Sequence, residues 1–180
     1  NVTVDSYSIN RVHTVKSKYV NLVPSITSSA TFSAAENQTS IDTVTAIDAE
    51  DDNLTFTVSG SELAITSAGV LTFASAPDYE TKSTYTATVT ASDGTNSTTQ
   101  AITVNVTDVN EAPAFTSEAT FSAAENQTAI GTVAASDVDG DTITYSISGS
   151  DITINSSSGV IAFASAPDYE TKAVYTATVT

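Results

Sequence analysis

The run Ala30-Thr31-Phe32-Ser33-Ala34-Ala35-Glu36-Asn37-Gln38-Thr39 returns as residues 119–128, and Phe73-Ala74-Ser75-Ala76-Pro77-Asp78-Tyr79-Glu80-Thr81-Lys82 returns as residues 163–172. Identity over so long a span means that one unit has been duplicated. Duplicated units of this kind stack in arrays and bury their cores repeat by repeat. The stretch from Glu125 to Asp168 is one residue longer than that from Glu36 to Asp78, which places an inserted residue near Asn155 to Ser158. The 180 residues therefore divide into a strand-like segment and linker at 1–24, a first repeat at 25–113 and a second at 114–180.

Within each copy the apolar residues alternate over short spans bounded by turn residues, the mark of strands packed on one face. Thr43-Val44-Thr45-Ala46-Ile47 reads as one strand and Leu54-Thr55-Phe56-Thr57-Val58 as the next, matched by Ile143 to Ile147. Leu63 to Ile65 and Val70 to Phe73 follow, broken at Gly69, and Tyr85 to Val89 comes after them. Asp93-Gly94 predicts a tight turn into Gln100 to Val106, where Ile102, Val104 and Val106 fall on one face. A short strand near Phe32 brings each copy to about seven, the strand count of an immunoglobulin-like sandwich. Phe32, Phe56, Phe73, Tyr79 and Tyr85 recur with the repeat and read as core. The fold expected is all-β: two tandem immunoglobulin-like Greek-key sandwiches, the second lacking its last strand.

Charge narrows the function. Acids outnumber bases 21 to 5, for a formal net charge of −16. Such a surface repels nucleic acid and anionic lipid and attracts cations. The chain has no cysteine, so no disulfides and no thiolate metal sites. No apolar run approaches the length of a membrane span.

The acids also stand in a recurring order. Glu36-Asn37 and Glu125-Asn126 resemble the Pro-Glu-Asn motif of cadherin-type repeats, with Ala in place of Pro. Asp137-Val138-Asp139-Gly140-Asp141 resembles the family's Asp-x-Asp-x-Gly loop, and Asp48-Ala49-Glu50-Asp51-Asp52 is a looser version. Asp78-Tyr79-Glu80 and Asp168-Tyr169-Glu170 resemble Asp-Arg-Glu with Tyr in the middle, and Ala91-Ser92-Asp93 resembles Ala-x-Asp. Asp108-Val109-Asn110-Glu111-Ala112-Pro113-Ala114-Phe115 resembles the linker Asp-x-Asn-Asp-Asn-Ala-Pro-x-Phe, one residue short and with Glu111 for the second Asp. The resemblance spans residues 25–180 and is to the bacterial form of the repeat, found in large surface and secreted proteins.

What the resemblance implies is calcium where the two repeats meet. Its ligands would be Glu36, Asp78 and Glu80 from the first repeat, Asp108, Asn110 and Glu111 from the linker, and Asp137 and Asp139 from the second. Physical chemistry points the same way: calcium takes six to eight hard oxygen ligands, and extracellular modules hold it at about 10⁻⁴ to 10⁻³ M. Asp78 and Glu80 are expected on one face of an extended segment, and so are Asp137 and Asp139. Unneutralised, these carboxylates would repel one another. The bland alternative is that the acids form turns and keep the surface soluble.

The implied role is a calcium-stiffened structural or adhesive unit, extracellular, at a cell surface or in a secreted filament or matrix. Its partners would be further copies of itself or neighbouring repeats, with no nucleic acid and no membrane insertion. A carbohydrate-binding module, with glycan partners, is the alternative. The second copy ends at Thr180, the counterpart of Thr90, before a match to Ala91–Val106. Either the strand continues beyond, or residues 1–19 of a neighbour supply it and build a fibre. Those residues hold Arg11, Lys16 and Lys18, three of the five bases. In register, Tyr19 replaces Asp108 and Leu22 replaces Glu111, so an upstream calcium set is expected to be incomplete.

Enzymatic readings fare worse. His13 is the only histidine and has no matching Asp and Ser constellation. Asp78 with Glu80 has the look of a glycosidase pair, but it recurs unchanged as Asp168 with Glu170, as a junction ligand would and a catalytic pair would not. Seven Asn-x-Ser/Thr triplets occur, at Asn1, Asn37, Asn53, Asn96, Asn105, Asn126 and Asn155, and a glycan on Asn37 or Asn126 would crowd the adjoining glutamate.

Overall fold

The structure is a computed structural model that describes residues 20–180. His13, Arg11, Lys16, Lys18, Tyr19 and the proposed donor strand 1–19 lie outside the described residues. The described chain is all-β. It divides into two compact units. One holds the described residues up to Ala34, with Gln38–Ala76 and Thr84–Asn105; the other holds Ala35–Asn37, Pro77–Ser83 and Val106–Thr180.

The first copy runs β1 (Ser25–Ile26), β2 (Thr31–Ala35), β3 (Ser40–Thr43), β4 (Ala46–Ile47), β5 (Thr55–Val58), β6 (Leu63–Ile65), β7 (Val70–Phe73), β8 (Thr84–Ser92) and β9 (Ser97–Thr107). One sheet has the order β2-β9-β8-β5, a second has β3-β7-β6, and β1 pairs with β4. Alternation fixes the register. Ile102, Val104 and Val106 point inward from β9, as Val89 and Ala91 do from β8. Phe32, Phe56, Leu63, Leu71 and Phe73 are buried with them. Each such aliphatic or aromatic side chain contributes about 1.5–3 kcal/mol on burial.

The single strand expected over Thr43–Ile47 is broken. β3 pairs with β7 and β4 with β1, and the chain changes sheets at Val44, which is buried and donates its N–H to the Gly69 carbonyl at 2.8 Å. Period-two alternation survives such a corner, which is why the pattern looked continuous. Gly69 sits at φ +90°, and a Cβ there would overlap the Val44 carbonyl oxygen. The position accepts only glycine. Tyr79, expected in the core, is exposed, because it lies on a turn rather than on a strand face.

The second copy contributes β10 (Ala114–Phe115), β11 (Ala129–Thr132), β12 (Ala135–Ser136), β13 (Ile152–Ile154) and β14 (Val160–Phe163). Its sheets β11-β14-β13 and β10-β12 repeat the arrangement of β3-β7-β6 and β1-β4. Phe163 meets Tyr175 edge to face at 4.9 Å, as Phe73 meets Tyr85 at 5.1 Å. The inserted residue falls in the turn before β14, where Asn155 to Gly159 replace Thr66 to Gly69. Asn155 Oδ1 accepts the Ser157 and Ser158 N–H groups, and Gly159 repeats the conformation of Gly69.

The expected strand over Ile143–Ile147 is reduced to one bridge, Ile147 to Val179. In the first copy the matching strand β5 is held by β8, which is held in turn by β9. No described strand takes the place of β9 in the second copy. An open groove of about 590 Å³ lies there, with Phe121, Ile147, Ile161 and Val179 among its lining residues.

Candidate metal centre

Five of the eight expected ligands come together, all within the second compact unit. Carboxylate oxygens of Glu36, Glu80 and Asp108 lie within 4.8 Å of one another, and so do those of Glu80, Glu111 and Asp139. Glu80 belongs to both groups.

Local structure explains the convergence. Glu36 follows β2 and is only 4% exposed. Its Oε2 accepts the Tyr79 N–H at 2.8 Å, and its Oε1 accepts the Val109 N–H at 2.9 Å. One buried carboxylate thus joins the turn bearing Glu80 to the linker bearing Asp108. Asn37 carries φ +61°, a left-handed conformation that Asn tolerates better than most residues. That conformation lets its N–H reach the Pro77 carbonyl at 3.0 Å, and its side-chain amide donates to Glu111 Oε1. The Glu111 N–H donates to Asp139 Oδ2 at 2.8 Å, which ties the linker to the loop after β12.

Electrostatics leaves this cluster short of positive charge. Desolvation raises the Asp108 pKa, with Asp139, Glu36 and Asp141 adding like-charge repulsion. Glu111 is raised by desolvation against the lowering pull of Asn37, again with Glu36, Asp139 and Asp108 beside it. For Glu80 a backbone hydrogen bond pulls down, but desolvation and the charges of Glu36, Asp108 and Asp139 carry the value up. Glu111 Oε2 and Asp139 Oδ1 are buried with no hydrogen-bond partner. A carboxylate oxygen removed from water needs a donor or a cation. These two oxygens fit a cation.

Asp78 and Asp137 stand nearby in sequence but outside the two groups of acids, and Asn110, an amide, stands on the linker between Asp108 and Glu111. Asp78 and Glu80 are not on an extended segment. Asp78 Oδ1 accepts the Thr81 N–H at 2.9 Å and the Asp78 carbonyl accepts the Lys82 N–H at 2.9 Å, which closes a turn. Asp137 Oδ1 likewise accepts the Asp141 N–H at 3.2 Å, in a loop rather than a strand. Asp and Asn side chains compete for backbone N–H groups, so two-residue spacing here reports turn chemistry. Asn110 Nδ2 donates to the Glu111 carbonyl at 2.9 Å. Asp141, not among the eight, acts on Asp108; its place after Asp137-x-Asp139-Gly140 was the available signal. A third acidic group, Glu125, Asp168 and Glu170, repeats Glu36, Asp78 and Glu80 but is exposed; the repetition of the motif pointed to it.

The fold is that of cadherin extracellular domains. The chain is similar to human protocadherin-24 EC1-2, with 24% identity over 85% of this chain and 82% of that one, at TM-score 0.57. It is also similar to mouse cadherin-23 EC22-24, at 25% identity over 85% of this chain and 57% of that one, TM-score 0.54. Drosophila N-cadherin EC1-4 matches at 21% identity over 88% of this chain and 45% of that one, TM-score 0.56. No family model matches the sequence, and no curated protein does. Among the described residues no helix is long and apolar enough to cross a membrane.

Proposed function

We propose that this chain is a calcium-stiffened structural and adhesive repeat unit of an extracellular or cell-surface protein, of the kind found in large bacterial surface and secreted proteins. The carrying observation is the pair of acidic groups that share Glu80, together with the partnerless buried oxygens of Glu111 and Asp139. The repeats would be residues 25–113 and 114–180.

Glu36, Glu80, Asp108, Glu111 and Asp139 would hold the ion or ions, and Asp78, Asn110 and Asp137 stand on the same loops to complete the expected eight. Hard carboxylate and carbonyl oxygens without thiolate or imidazole suit calcium rather than zinc. Glu36 already accepts two N–H bonds, but each of its oxygens keeps a lone pair. Calcium supplies neutralising charge. The chain supplies geometry: Ala35–Asn37 and Pro77–Ser83 run directly into strands of the first sandwich, so fixing them together with the linker and the Asp139 loop restricts bending. Without the ion, like charges push the same segments apart. The role is mechanical and non-enzymatic, and its partners are neighbouring repeats or further copies of the chain.

Calcium titration by calorimetry tests this, with small-angle scattering before and after chelation. We expect binding at about 10⁻⁴ to 10⁻³ M and a narrower distribution of shapes with calcium. Absence of heat, with identical scattering curves, would refute the reading. Tyr79 and Tyr169 are exposed, so a glycan array checks the carbohydrate-binding alternative. Deleting residues 1–19 and measuring assembly checks strand donation.

A further inference from the structure

The segment leading into the first sandwich, Asn21 to Pro24, answers in register to Asn110 to Pro113, yet Leu22 stands where Glu111 stands. Its backbone still makes the matching hydrogen bond. The Leu22 N–H donates to Glu50 Oε2 at 3.1 Å, as the Glu111 N–H donates to Asp139 Oδ2 at 2.8 Å. The surroundings differ. Asn21 Nδ2 donates to Asp93 Oδ2 at 3.0 Å. Asn96 Nδ2 donates back to the Asn21 carbonyl at 3.1 Å and to the Leu22 carbonyl at 3.4 Å. The other Asp93 oxygen accepts the Thr95 and Asn96 N–H groups, each at 2.6 Å.

Both Asp93 oxygens are therefore occupied by N–H donors. These bonds, led by that from Asn96, hold its pKa below the ordinary aspartate value. Amide dipoles here do what a cation would otherwise do: they stabilise the ionised carboxylate at the Asp93-Gly94 turn and tie it to the linker. Pro24 is fully buried at the end of the tied segment. Among the described residues, Asp93 joins none of the clusters of three acids; in the loop of Glu50 one carboxylate oxygen, Asp48 Oδ2, is buried without a donor, but it makes no bond to Asn21, Asp93 or Asn96.

We propose that Asn21 and Asn96 form a cation-free amide clamp that docks residues 21–24 on the first sandwich, so this linker stays in place when divalent ions are removed. Asn21 is a positioning residue that acts by bridging Asp93 and Asn96. The clamp stands on its own hydrogen bonds; only its contrast with residues 108–111 rests on the calcium reading above.

Amide hydrogen exchange, followed by NMR on the full chain with calcium and then with a chelator, tests both readings in one sample. The Leu22 N–H reports the clamp and the Glu111 N–H reports the acidic linker. Leu22 exchange is expected to change less than about twofold on chelation, because local opening there breaks no metal bond. A rise of roughly tenfold or more would overturn the clamp. An unresponsive Glu111 would count against the calcium reading and leave the clamp intact.

Asn21→Ala and Asn96→Ala should each speed Leu22 exchange by about tenfold in both conditions while the Val104 N–H in the core stays protected. An unchanged Leu22 rate in either variant overturns the proposal. Asn21→Asp sets a second carboxylate against Asp93. Leu22 should then be protected only when calcium is present, and equal protection in chelator would also refute the clamp.

Discussion

Glu36→Gln isolates what one carboxylate contributes to the acidic cluster through its backbone hydrogen bonds alone. Glu36 is 4% exposed and accepts two backbone N–H bonds, from Tyr79 at 2.8 Å and Val109 at 2.9 Å. Gln keeps the volume but offers a single acceptor oxygen, so one N–H must face an NH₂ group. Losing a charge-assisted bond and stranding its donor costs about 2 kcal/mol. At about 1.4 kcal/mol per factor of ten, this corresponds to roughly thirtyfold faster exchange of the amide that loses its partner. The counterpart is a built-in control. Glu125 is exposed and accepts the Tyr169 N–H at 3.2 Å. Water replaces that bond, so Glu125→Gln should cost under about 0.5 kcal/mol. The assay is hydrogen exchange at Tyr79, Val109 and Tyr169, together with urea unfolding, both in chelator. Equal effects at Glu36 and Glu125 would refute the argument, since they would show that burial and the second bond do not matter.

Glu80→Gln removes the charge and one acceptor oxygen of the residue common to both acidic groups and should weaken calcium binding about tenfold or more, measured by calorimetry. Gly69→Ala meets both a positive φ and the Val44 carbonyl, so chemical denaturation should show a loss above about 1 kcal/mol; a neutral result would mean the turn can relax. The Asp93 pKa is lowered in the folded chain, so its contribution is present above the unfolded aspartate value and is lost as pH falls through the folded one. Leu22 exchange, corrected for its intrinsic pH dependence, should therefore accelerate below about pH 4; indifference to acid would exclude Asp93 as an anchor.

Much of this architecture was legible because the chain states it twice. The duplicated runs fixed the copy length, and the extra residue fell in the turn that the spacing indicated. The acids that assemble, Glu36, Glu80, Asp108, Glu111 and Asp139, were all visible as motif positions. Less visible was how Asp78 and Asp137 use their oxygens. A two-residue spacing is the same in a strand and in a turn, and only the hydrogen bonds to Thr81 and Asp141 tell them apart. The sheet change at Val44 was hidden for a related reason, since a corner preserves alternation. Asn21 and Asn96 were invisible as a pair because amides far apart in sequence leave no periodic trace.

The two turns that end on Gly69 and Gly159 carry a practical consequence. They differ by one residue, yet β3-β7-β6 and β11-β14-β13 keep the same order. Loop closure charges only about 0.2 kcal/mol for such a residue, whereas the closing glycine admits no side chain. A residue more or less is thus tolerated at this spot, while the chemistry is not free to change. One further residue between Ser157 and Ser158 should be borne at little cost, provided that Asn155, Gly159 and the Ser156 carbonyl that accepts the Tyr145 N–H at 2.8 Å keep their places.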